Sequence, residues 1–144
     1  MSRPIAVLHG VNLDVLERRP AEHYGGLTLS ELERRIAGYA AGLGFEPTFF
    51  QTNHEGEYVE ELHRAGEYAD GLILNPGAWT HYAWALRDAL EIAALPAVEV
   101  HLSDVKAREE FRGHSVISEV CVATVTGRGV DGYRDALERL KESL

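Results

Sequence analysis

The run GLILN at residues 71–75 decides the fold. Its apolar residues are consecutive, and it stops at Asn75 before the breaker pair Pro76-Gly77. A strand with one wet face alternates apolar and polar residues, whereas a strand covered on both faces need not. Four further runs read the same way on either side: IAVLH (5–9), PTFFQT (47–52), AVEVHL (97–102) and VCVATVT (120–126).

Helix signals separate the runs. Thr28 and Glu31 form a T-x-x-E capping box ahead of Leu29, Leu32, Ile36, Tyr39 and Leu43 at helical spacing. The pattern predicts further helices from about 55 to 68 and from about 80 to 94, the latter ended by Pro96. Ser103 or Asp104 is expected to cap a short turn through Phe111, and Tyr133, Leu137, Leu140 and Leu144 form one stripe of a last helix. Five covered strands alternating with helices imply parallel pairing, right-handed crossovers and helices on both faces. The expected fold is α/β, a flavodoxin-like doubly wound five-stranded parallel sheet.

The 144 residues fit a single domain spanning 1–144. Lys plus Arg is 14 and Asp plus Glu is 23, a net charge of −9 that repels phosphate and argues against nucleic-acid or anionic-membrane partners. A local pocket for a small anion remains compatible with that charge. Two lysines, Lys106 and Lys141, stand against twelve arginines. The one cysteine, Cys121, lies in an apolar run and reads as a buried small hydrophobe. MSRPIAVLHG has no long apolar stretch of a signal peptide, and no run approaches the ~20 apolar residues of a membrane helix, so the expected compartment is the cytoplasm.

In an open parallel sheet the ligand sits beyond the carboxyl ends of the strands. GRGVDG (127–132) matches a dinucleotide fingerprint, yet only twelve residues follow it, leaving no strand to carry a ribose-binding acid; it reads as a tight strand-to-helix turn. A phosphoacceptor receiver would need an Asp after the third strand and a Lys after the fifth, where Asn75 and Gly127 stand. A flavin or nucleotide carrier would need a phosphate loop after the first strand. The seven histidines show no metal-ligand spacing, so no metal is expected. Glu99 and His101 are two apart on a strand and project to the same face, where a carboxylate favours and orients an imidazolium. Arg108 and Arg112, one helical turn apart, could share a face with an anion. Arg18, Arg19 and then Tyr24 sit in a stretch that contains Pro20 and Gly25-Gly26 and has the makings of a lid.

GVNLDVLERRPAEHYG, QTNHEG, NPGAWTHYAWALRDA, EVHLSDVKAREEFRGHS and GRGVDGY, in that order, resemble the successive motifs of type II 3-dehydroquinate dehydratase. The resemblance covers nearly the whole chain. It implies interconversion of 3-dehydroquinate and 3-dehydroshikimate by anti elimination of water through an enolate, in the shikimate pathway or in quinate catabolism, with no metal, cofactor or Schiff base. Lys106, the one interior lysine, sits in a polar stretch ill suited to imine chemistry. By resemblance Tyr24 is the general base, Arg19 favours its phenolate, Asn12 helps hold the water that stabilises the enolate, and His101 is the general acid, oriented by Glu99. Asn75, His81, Ser103 and Arg112, with the backbone at Leu102, bind the substrate's hydroxyls and carboxylate. Asp88 reaches a neighbouring subunit's site in an assembly of dodecamers of trimers. The chain departs from the family pattern at Val11, Asp14, Glu17, Pro20-Ala21, Ala83 (flanked by Tyr82 and Trp84) and Asp104, and none of these removes a proposed catalytic side chain. The contrasting expectation is a non-catalytic relative of the same fold that binds a cyclic polyol acid.

Overall fold

The computed structural model describes residues 2–144, apart from the side chain of Lys106, so the expectation about that lysine lies outside the described residues. Five parallel strands form one sheet: β1 (Arg3–His9), β2 (Phe45–Gln51), β3 (Gly71–Asn75), β4 (Ala97–His101) and β5 (Ala123–Thr126), in the order β2-β1-β3-β4-β5. The helices are α1 (Ala21–Tyr24), α2 (Leu29–Gly42), α3 (Glu55–Arg64), α4 (Trp84–Ala93) and α5 (Asp131–Glu142). This is the expected flavodoxin-like fold, but full covering holds for the inner strands β3 and β4 and most of β1, while the edge strands β2 and β5 are only partly buried.

The consecutive apolar residues of β1 have a direct cause. Ile5 and Val7 pack into the cluster that α2 and α5 cover, while Ala6 and Leu8 pack into the opposite cluster with α3 and α4. All four are buried; full burial stabilises a residue such as Ile or Leu by roughly 1.5–3 kcal/mol. The capping box forms as predicted, with the Thr28 hydroxyl accepting the Glu31 N–H at 3.1 Å.

Strand ends shift by one or two residues, α3 stops at Arg64 with a 3-10 turn over Ala65–Glu67 in place of its expected last turn, and further boundaries differ for identifiable reasons. β5 begins at Ala123, because Val116 and Ile117 are buried in the second cluster and residues 118–120 turn before Val122 N–H reaches Ala97 O at 2.8 Å. Helix α4 begins at Trp84; Thr80 and His81 belong to a separate 3-10 turn, Gly77–His81. Ala94, in left-handed conformation, ends α4 two residues before Pro96. Leu144 lies beyond the end of α5.

The loops after β1 and β3 are pressed together. Gly10 N–H donates to Asn75 O at 2.8 Å, and a Cβ at Gly10 would stand 2.3 Å from Pro76 O. Gly77 adopts φ +67° with Val11 O alongside, a conformation and a space that suit glycine. No helix among the described residues is long and apolar enough to cross a membrane.

Candidate active site

Beyond the ends of β1, β3 and β4 lies a narrow cleft. Arg19, Tyr24, Asn75, His81, His101, Leu102, Ser103 and Arg112 of the predicted set line it, joined by Arg108. Three guanidinium groups and no carboxylate face this cleft, so a chain of net charge −9 has concentrated positive charge at one place.

Tyr24 is delivered by α1, a single turn held between Pro20 and Gly25-Gly26, the two glycines at φ +80° and +72°. Its ring is 8% exposed. The Arg19 guanidinium lies over that ring, 4.0 Å from its centroid, and does not bond the oxygen. Arg108 does: Nη1 donates to Tyr24 Oη at 2.6 Å and to Ser103 Oγ at 3.3 Å. Arginine has donors alone, so the phenol oxygen is the acceptor there. The Nε of Arg108 is buried with no hydrogen-bond partner among the described residues. Pairing Arg108 with Arg112 on one helical face is therefore corrected. The chain breaks between two short turns, Val105–Ala107 and Glu110–Gly113, and Asp104 makes no side-chain cap. Arg112 Nε instead donates to Glu109 Oε2 at 2.5 Å.

His101 and Glu99 do share a face of β4, with Nε2 donating to Oε2 at 2.6 Å. Glu99 is fully buried. Burial pushes its carboxyl up, but the hydrogen bond and charge of His101 and the hydroxyls of Thr80 and Ser115 outweigh this and leave it below the usual range. His81 Nδ1 lies 2.6 Å from His114 O; a carbonyl accepts, so Nδ1 carries the proton and Nε2 is the lone-pair end of the neutral ring. Burial foremost, then the charges of His101 and Arg112, lower the His81 pKa against the raising effect of that hydrogen bond. Asn75 Oδ1 accepts Gly77 N–H at 3.1 Å while its NH2 group touches Tyr133 Oη at 3.5 Å, which fixes the amide's orientation.

Three predicted residues are not in the cleft's lining: Glu99, which lies behind His101, and Asn12 and Asp88, which stand away from it. Asn12 is exposed in left-handed conformation, its N–H bonded to Asn53 Oδ1 at 2.8 Å. Asp88 is exposed on α4. The contacts the sequence did not reveal are those of Arg108 with the phenol, of Thr80 and Ser115 with Glu99, and of Tyr133 with Asn75. Thr80 offered one signal, its place immediately before His81.

A family model described as Dehydroquinase class II matches residues 3–141. The chain is 48% identical to the 3-dehydroquinate dehydratase of Pelobacter propionicus, covering 99% of this chain and 96% of the relative. It is 46% identical to the enzyme of that name from Thermotoga maritima, over 97% and 96%. The crystal structure of type II dehydroquinase from Propionibacterium acnes superposes with a TM-score of 0.91 at 40% identity, covering 99% of this chain and 98% of that one. Fold and relatives together define a doubly wound α/β enzyme with an arginine-lined cleft at its strand ends. The chain belongs to the class II dehydroquinases.

Proposed function

We propose that the cleft dehydrates 3-dehydroquinate to 3-dehydroshikimate by anti elimination through an enolate. The reaction follows from family membership and from relatives named 3-dehydroquinate dehydratase, and it places the chain in the shikimate pathway. Tyr24, as phenolate, removes the proton next to the ketone, and the electron pair passes to the carbonyl oxygen. Collapse of the enolate expels the hydroxyl, which leaves as water with a proton from His101. The observation that carries this reading is the placement of an arginine-bound phenol oxygen and a carboxylate-backed imidazole in one cleft from two different elements.

In the same reading Asn75, Ser103, Arg112 and the Leu102 backbone hold the carboxylate and hydroxyls. Neutral His81 presents Nε2 to a hydroxyl. Asn12 reaches the enolate's water from the loop after β1. The cleft now leaves about 30 Å³ free, room for a few waters at most. Admission of a six-carbon ring therefore requires the segment around Arg19 and Tyr24 to move, as a lid does. Asp88 serves the cleft of a neighbouring subunit in a dodecamer of trimers; its exposure, beside the 60% and 59% exposed Tyr82 and Trp84, supports a contact between copies. The compartment proposed is the cytoplasm, in keeping with a lone Cys121 that has no second cysteine to pair with. Absorbance of the conjugated enone, followed on adding 3-dehydroquinate to purified protein, tests the activity: growth of the band is expected. Binding without turnover would establish the non-catalytic relative instead.

A further inference from the structure

Behind the acid lies a layer of hydroxyl groups. Glu99 Oε2 accepts from Thr80 Oγ1 at 2.5 Å as well as from His101, and Oε1 accepts from Ser115 Oγ at 2.9 Å and Thr124 Oγ1 at 3.4 Å. The direction of the Ser115 bond follows from counting protons. Its oxygen already accepts the N–H groups of Ile117 at 3.3 Å and Ser118 at 3.2 Å, so its hydrogen is left to donate, and a carboxylate with oxygens at 2.9 Å and 3.0 Å is a stronger acceptor than the Thr80 hydroxyl. Thr80 Oγ1 lies 3.0 Å from Ser115 Oγ, and the two converge on one acceptor. A neutral carboxyl at Glu99 would turn its own hydrogen toward donors.

We infer that Thr80 and Ser115 are positioning residues whose hydroxyls keep the shared proton of the Glu99–His101 pair on Nε2, so that His101 is held as an imidazolium that gives its Nδ1 proton to the leaving hydroxyl. The inference rests on the reading of His101 as the acid.

A pair sharing one proton has two forms, an imidazolium facing a carboxylate or a neutral imidazole facing a carboxylic acid. Nε2 is committed to Glu99, so the proton available to substrate is the one on Nδ1; it is readily given up in the first form, where the ring is a cation, and not in the second, where the ring is neutral. Burial disfavours the charged form and brings the two closer in energy. Hydrogen bonds donated to a charged acceptor are stronger than those to a neutral one, so each hydroxyl favours the ion pair. The lowered Glu99 pKa agrees with this geometry.

Other charges cannot stand in for the hydroxyls. His81 and Arg112 face the pair from their two turns, but Arg112 is bound to Glu109. Tyr58 on α3 and Cys121 lie behind it, both kept neutral by burial. His114 and Glu119 line the adjoining cavity of about 290 Å³, which also reaches Glu99 and His101, and neither bonds the carboxylate.

The test compares Thr80→Val and Ser115→Ala with the hydroxyl-retaining Thr80→Ser and Ser115→Thr, measuring kcat and KM across pH. Each lost hydroxyl should lower kcat on the order of tenfold with KM nearly unchanged. The alkaline limb of kcat should move to higher pH, because a carboxylate stripped of donors holds the pair's proton more tightly, now on Glu99. The hydroxyl-retaining variants should restore both. A limb that stays in place or moves to lower pH, or equal impairment in variants with and without the hydroxyl, overturns the inference. Thr80 accepts no backbone N–H in this network, so Thr80→Val decides the matter should Ser115→Ala fail to fold. His101→Ala separates the two levels. It should lower kcat by ~10²–10⁴, and a loss below tenfold would remove the acid assignment itself.

Discussion

Arg108 Nη1 donates to Tyr24 Oη at 2.6 Å, whereas Arg19 lies 4.0 Å from the centre of the same ring. The two arginines therefore act on different parts of one phenol. A charge in line with the oxygen stabilises a phenolate directly, while a charge over the ring face is drawn to the π system and fixes the ring's position.

Replacing either arginine by leucine should consequently give different profiles. Arg108→Leu should lower kcat/KM at neutral pH and push its maximum to higher pH, because a free tyrosine ionises near ~10. Arg19→Leu should lower the rate with a smaller displacement of the profile. Measuring kcat/KM from pH 6 to about 10.5 distinguishes them; the larger displacement in Arg19→Leu would reverse the assignment.

Tyr24→Phe should nearly abolish turnover, and His23→Ala should leave most of it. His23 meets the Tyr24 ring edge-on at 6.1 Å and lines a separate cleft with Glu22 and Asp104. Steady-state rates of both variants settle which residue is the base, and a collapse in His23→Ala alone would make it the histidine.

Arg112→Lys should raise KM substantially, since an ammonium cannot reproduce the two parallel bonds of a planar guanidinium. The Glu109 partner adds a condition: substrate must displace or share that ion pair. Glu109→Gln should therefore lower KM. An unchanged KM in both variants would place the substrate's carboxylate elsewhere.

Cys121 is partly buried against the second cluster, not fully buried as expected, and should still react slowly with thiol reagents in the native protein. Burial foremost, with the nearby Glu99 charge, pushes its pKa up to about 12, so roughly one thiol in 10⁴ is ionised at pH 8. Labelling with a chromogenic disulfide at pH 8 should be slow, and should become rapid in denaturant. Rapid native labelling would show the turn at 118–122 opening freely.

Much of this was written in the sequence because it depends on neighbours along the chain. The two-sided burial of β1, the capping box at Thr28 and the shared face of Glu99 and His101 all follow from local periodicity. The start of β5 did not, because VCVATV reads alike whether or not residues 118–120 turn first. Arg108 and Tyr24 are 84 positions apart, and no local pattern announces which arginine meets a phenol oxygen. The hydroxyls at Glu99 were hidden for the same reason: Thr80 and Ser115 come from segments that meet only when the sheet has formed.

With no room for even one extra carbon between Gly10 and Pro76, the ends of β1 and β3 behave as a single casting. Asn75 stands on that casting, and His101 stands on the strand next to it. Tyr24, by contrast, hangs from a one-turn helix between Pro20 and a pair of glycines. Variation aimed at turnover or substrate range thus has a natural address in residues 17–26, outside that close packing. At Gly10 and Gly77 a side chain has no space to enter, and substitution there should cost the fold before it changes the chemistry.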